Sequence, residues 1–75
     1  MMKIAEVGDI VTINGYCYSN EYGGTEIVKD TIMKCKITKM WHDYECGWRY
    51  HAIPLTGEHD KIYVSEFDIM DIQEE

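Results

Sequence analysis

Residues 31–42 alternate. Met33, Cys35, Ile37 and Trp41 fall on odd positions, with Lys39 interrupting, while Lys34, Lys36 and Thr38 fall on even ones. A period of two with β-branched residues predicts a half-buried strand, since successive side chains leave a strand on opposite faces. Residues 48–53 repeat the pattern, with Trp48, Tyr50 and Ala52 on one face and Arg49, His51 and Ile53 on the other. Pro54 has no N–H for a ladder, so this strand should end or bulge there, or lie at an edge. Between the two strands, residues 43–47 read as a short polar connection. Towards the N-terminus, Gly8-Asp9 reads as a turn launching a strand at Ile10, on which Val11 and Ile13 share a face. Asn14-Gly15 signals a turn or bulge. Residues 19–25, with Asn20, Gly23 and Gly24, read as a long, mobile polar loop. After a turn at Thr56-Gly57-Glu58 come a short strand over 61–64, one helical turn over 65–68 capped by Ser65, and a last strand over 69–72. No segment carries a helical face. The expected core is Val11, Ile13, Cys35, Ile37, Ile62, Val64 and Phe67.

The result is an all-β chain of five short strands, with a long loop after the first and a single helical turn before the last. The Val7-Gly8-Asp9-Ile10-Val11 opening, the Gly23-Gly24 loop and the closing Lys61-Ile62-Tyr63-Val64-Ser65-Glu66-Phe67-Asp68-Ile69 resemble the SH3-like small barrel. The resemblance covers most of the chain, and it implies a 3₁₀ turn joining the last two strands. It departs from the eukaryotic signalling members, because no Ala-Leu-Tyr-Asp-Tyr opening is present; their groove for proline-rich peptides is therefore not carried over. The short, acidic, Tyr-rich character also resembles accessory proteins of phages and mobile elements.

At 75 residues the chain has room for one domain, 1–75, with an acidic tail at about 73–75. A chain of this size holds one thin core and little depth for a cleft, which disfavours an enzyme. Six Tyr and two Trp against a single Phe give an aromatic inventory suited to half-buried faces and interfaces. Fourteen acids against seven bases set a net charge of −7, unfavourable for generic attraction to a phosphate backbone. The charge is unevenly spread. Lys29, Lys34, Lys36 and Lys39 face Asp30 alone in residues 29–39, whereas seven acids accompany Lys61 in residues 58–75. No apolar run approaches membrane or signal-peptide length, and three scattered cysteines suit reduced thiols, so a cytoplasmic location is expected.

Catalytic and metal motifs are weak. His42, Cys46 and His51, with Cys35 nearby, are the best metal candidates, but the paired-cysteine knuckle is missing and strand parity separates Cys35 from His42. A Cys-His nucleophile lacks an orienting third residue, and Glu45 beside Cys46 disfavours a thiolate. Gly23-Gly24 lacks the features of a phosphate loop. No cofactor is expected.

The richest cluster is Trp41, Trp48, Arg49, Tyr50 and His51 around the 43–47 connection, since Trp, Tyr and Arg dominate interface hot spots. One Trp should be core and the other surface. Tyr16, Tyr18 and Tyr22 could line the same surface. The expectation is a non-enzymatic protein-binding module, an inhibitor or adaptor, whose partner could be a basic nucleic-acid-binding protein; the acids after residue 57 could then imitate phosphate. The alternative is a nucleic-acid-binding barrel using Lys34, Lys36 and Lys39 with Trp41, Arg49 and Tyr50.

Overall fold

The computed structural model describes residues 4–57 and 59–73. Five strands run in chain order, β1 (Ile10–Ser19), β2 (Thr25–Asp43), β3 (Gly47–Pro54), β4 (Ile62–Ser65) and β5 (Ile69–Ile72), with a 3₁₀ turn at Glu66–Asp68 before the last. They form one antiparallel sheet in the order β2-β3-β4-β1-β5. β2 also pairs with β1, so the pairings of β1, β2, β3 and β4 run in a closed circuit. The β1–β4 link is narrow, at Cys17 opposite Tyr63. Ser65 caps the 3₁₀ turn as its composition suggested, its hydroxyl accepting from the Phe67 N–H at 3.3 Å. Glu58 and the tail beyond residue 73 lie outside the described residues. Among the described residues, no helix is long and apolar enough to cross a membrane.

The expected long loop after the first strand is instead the end of a β-hairpin. β1 continues through Ser19 and pairs with β2 from Thr25 onwards. Asn20 closes the turn: its side-chain oxygen accepts from the Tyr22 and Gly24 N–H groups, each at 2.9 Å. The polar composition was read as mobility, but an Asn of this kind satisfies the turn's backbone donors locally. The Asn14-Gly15 signal is a bulge, not a turn. Register shifts between Asn14 and Tyr16, and Gly15 takes φ 102° against β2, where a Cβ would sit 3.1 Å from the Val28 carbonyl oxygen.

Val11, Ile13, Cys35, Ile37, Ile62 and Val64 are buried as expected, joined by Ala5, Tyr16, Met33, Tyr50 and Ala52. Phe67 is not in the core: it is 78% exposed, because the 3₁₀ turn points it away from the sheet. The same face of β3 that buries Tyr50 and Ala52 also buries Pro54 and packs Trp48 against the core.

The β2–β3 register carries the feature that matters most for the surface. Ile37 pairs with Ala52 and Lys39 pairs with His51, so Thr38 is an extra residue on β2. One inserted residue reverses the parity of everything that follows. Up to Ile37 the odd residues point inward; beyond Thr38 it is Met40 that packs on the core. Trp41 therefore leaves the face of Met33, Cys35 and Ile37 to which unbroken alternation had assigned it. The interruption noticed at Lys39 marks this bulge.

Two stability outcomes follow from this packing. Ile37→Ala, at a position 1% exposed, should lower unfolding free energy by about 2–5 kcal/mol in denaturant titrations. Deleting Thr38 removes only the unpaired residue and leaves Lys39 outward and Met40 inward by plain alternation, so it should lower Tm less than deleting Lys34, which reverses the parity between Met33 and Cys35. Equal melting of the two deletion variants would show that Thr38 is not the residue the register leaves unpaired.

Candidate functional site

The bulge decides which side chains share the outer side of the sheet. Before it, β2 presents Lys34 and Lys36 outward; after it, Lys39 and Trp41. β3 adds Arg49, His51 and Ile53, and β4 adds Tyr63 and Ser65, the partners of buried Ile62 and Val64 in strict alternation. β2 ends on the same side with an acid, Asp43, which has the parity of Lys39 and Trp41 and is held below the ordinary carboxylate range in part by Arg49.

Three rings cross the strands in a row. Trp41 lies edge-to-face with His51 at 4.8 Å between centroids, and His51 lies edge-to-face with Tyr63, also at 4.8 Å. Each ring has a cation beside it. Arg49 is the cross-strand neighbour of Trp41, Lys39 that of His51, and the Lys61 ammonium sits 5.5 Å from the Tyr63 ring centroid. A cleft of about 350 Å³ beside the row is lined by Cys17, Arg49, Tyr63 and Asp68 among others. A second, of about 600 Å³, lies between Tyr63 and Lys61 on one side and Tyr18 and His59 on the other. Tyr18 and His59 stack at 4.1 Å, and the Tyr16 hydroxyl and His59 Nε2 are 3.2 Å apart.

The sequence candidates are thus divided. Trp41, Arg49 and His51 come together on the outer face with Lys34, Lys36 and Lys39. Trp48 is on the opposite side of the sheet, half-buried against the core and edge-on to His42 at 5.2 Å. Tyr50 is 1% exposed and makes core, not contacts, so the Trp48-Arg49-Tyr50 triplet does not form one surface. Adjacent strand residues point oppositely, which rules out such a triplet in any regular strand. Tyr16 is buried, and Tyr18 reaches the edge of the ring row through the second cleft. Tyr22, 88% exposed at the hairpin tip, is not among the residues lining either cleft. Tyr63, Lys61 and His59 were overlooked. For the first two the signal was present, because they alternate with Ile62 and Val64; His59 is placed only by the tertiary fold.

The site's titrations are modest. Burial, helped by Lys61 and Lys39, holds the His51 imidazole below its ordinary value. Burial pushes the Cys35 thiol up to about 11 and raises Cys17, whose thiol points at the Tyr63 carbonyl at 3.8 Å. Both thiols therefore stay protonated at neutral pH, which disfavours a thiolate nucleophile. Asp43 lies lower than usual because it accepts from the Glu45 and Cys46 N–H groups, fixing the β2–β3 turn. Among the described residues no three His, Cys, Asp or Glu side chains converge as metal ligands; His42 and His51 are engaged by aromatic rings instead. Compared with known proteins, the chain matches no family model, no curated protein and no solved structure.

The depressed His51 value has a defined consequence for stability. The folded protein keeps this ring neutral at a pH where the unfolded chain already binds a proton. The contribution is fully present above the ordinary value of 6.5 and is lost as pH falls through the lower folded value. Thermal melts from neutral pH down to the onset of carboxylate titration should show a decline in the wild type that is smaller in His51→Gln. Identical declines in both proteins would assign the effect to another group.

Proposed function

We propose that this chain is a small non-enzymatic binding module, an SH3-like barrel in architecture, that takes a macromolecular partner on the outer face of β2, β3 and β4. The closed circuit of strand pairings and the 3₁₀ turn before β5 support the barrel reading. The long β1–β2 hairpin is its main departure from that pattern. The observation that carries the binding reading is the row Trp41, His51 and Tyr63, each with its own cation, on a face that also holds Lys34 and Lys36 and meets an acid at Asp43, the end of β2. Half-buried rings beside bases are the composition of a contact surface. They contribute little to a core that is already filled by aliphatic residues and Tyr50.

A second reading keeps a protein partner, as for an inhibitor or adaptor of the kind that phages and mobile elements carry. It is favoured by the net charge of −7 and by a separate apolar set on the hairpin, where Tyr22, Ile27 and Ile32 are each at least 64% exposed. That partner would seat on the hairpin arm.

Capture from a cell lysate by immobilised wild type, Trp41→Leu and Tyr22→Ala, with bound protein and bound nucleic acid both quantified, separates the two. For the outer face, Trp41→Leu should weaken capture by a hot-spot amount, about 2 kcal/mol or roughly thirtyfold, with Tyr22→Ala near wild type. The reverse pattern, with thermal melts unchanged, would move the contact to the hairpin.

A further inference from the structure

We infer that the outer face binds single-stranded nucleic acid, with the strand running across β2, β3 and β4 from Trp41 towards Tyr63. This rests on the outer face being the contact surface, and it adds the chemistry of the occupant.

The argument is the repeat in the face itself. Trp41 is matched with Arg49 and His51 with Lys39 across the β2–β3 pair, and Tyr63 with Lys61 just before β4, so that the rings fall on three successive strands and each has a cation beside it. The rings follow one another at 4.8 Å and 4.8 Å. A polymer that uses such a surface must itself repeat a flat apolar group and an anion. Unpaired nucleotides do this, each offering a base to stack and a phosphate to neutralise. An acidic peptide would use the cations and leave the rings idle. A duplex would offer phosphates but keep its base faces stacked inside, where Trp41 and Tyr63 cannot reach them. Beyond Tyr63, the 600 Å³ cleft leads to the stacked Tyr18 and His59, but Glu21 and Asp60 also line it, so the basic track ends at Lys61.

Charge complementarity is local. The protein as a whole carries −7, but Lys34, Lys36, Lys39 and Arg49 lie together on the outer face, whereas Glu66 and Asp68 lie on the 3₁₀ turn, Asp71 on β5, and Asp60 and Glu21 at the second cleft. At short range the face is positive, while the body repels at long range; screening by salt weakens both. Affinity is therefore modest and specificity for sequence is low, because every base has a face to stack.

The test is fluorescence anisotropy with labelled oligothymidylate and oligouridylate of about ten nucleotides, against a duplex of equal length and against polyglutamate. The expected result is binding of both single strands, at least about tenfold tighter than the duplex or polyglutamate. If about three phosphates are neutralised, affinity falls about twentyfold between about 50 and about 200 mM salt. Trp41→Leu and Tyr63→Leu, with unchanged melting, should each weaken binding about tenfold or more, and Lys39→Gln with Lys61→Gln should flatten the salt dependence. Absence of single-strand binding at low salt, equal binding of duplex or polyglutamate, or indifference to the ring substitutions would overturn the inference. If lysate capture nonetheless depends on Trp41, the outer face remains the contact surface and its occupant is a protein.

Discussion

One extra residue in β2 organises the surface of this protein. Were Thr38 paired in regular alternation, the run of Met33, Cys35 and Ile37 would continue into Lys39 and Trp41 and drive a lysine ammonium at the core. A buried unpaired ammonium is so unfavourable that the strand does better to absorb one unpaired position. The bulge turns Lys39 outward and lets Met40 fill the core in its place. The same shift carries Trp41 to the side of Lys34 and Lys36, beside Arg49 and near His51. The core's refusal of a charge and the assembly of a basic, aromatic face are thus one event in the chain.

The face is also shaped by what lies behind it. Ile37, Tyr50, Ala52, Ile62 and Val64 are almost completely buried beneath β2, β3 and β4, so the outward residues stand on backbone held from the inside. At that position the ring of His51 meets two rings and two ammonium groups, and its lowered proton affinity records both the partial burial and the positive company. The hairpin formed by β1 and the first half of β2 is different. Its base carries Val11, Ile13 and Tyr16 in the core, and its far end closes in an Asn turn and exposes Tyr22 and Ile27. The molecule therefore has a supported aromatic face and an exposed hairpin end, the two surfaces on which the proposed readings differ.

Net charge bears on those readings only at long range. A count of −7 describes the field far from the protein, whereas a ligand in contact feels the charges within about a Debye length, roughly 8 Å at physiological salt. Within that range of Trp41 the side chains of Arg49 and its strand neighbours matter more than Asp71 on β5. The uneven spread of Lys34, Lys36 and Lys39 against the acidic C-terminal part was visible in the sequence. What it lacked was the side of the sheet on which each charge would stand.

Composition and periodicity were sufficient for the all-β class, the five strands, the capped 3₁₀ turn at Ser65 and most of the core, because period two and turn chemistry are local properties of the backbone. They were sufficient, too, for Val11 with Ile13 and Ile62 with Val64 as inward pairs. They misplaced Phe67, since a residue in a one-turn helix has no periodicity from which to read its direction. They also mistook the Asn20 hairpin for a loop, because polar residues stabilise tight turns and mobile loops alike. Tertiary structure alone decided the rest. Trp41 and Trp48 were assigned to outside and inside by the register of β2 on β3, and Tyr63 was carried to His51 by the pairing of β3 with β4. Register is a choice between whole strands, made by the core they share, and no single stretch of sequence contains it.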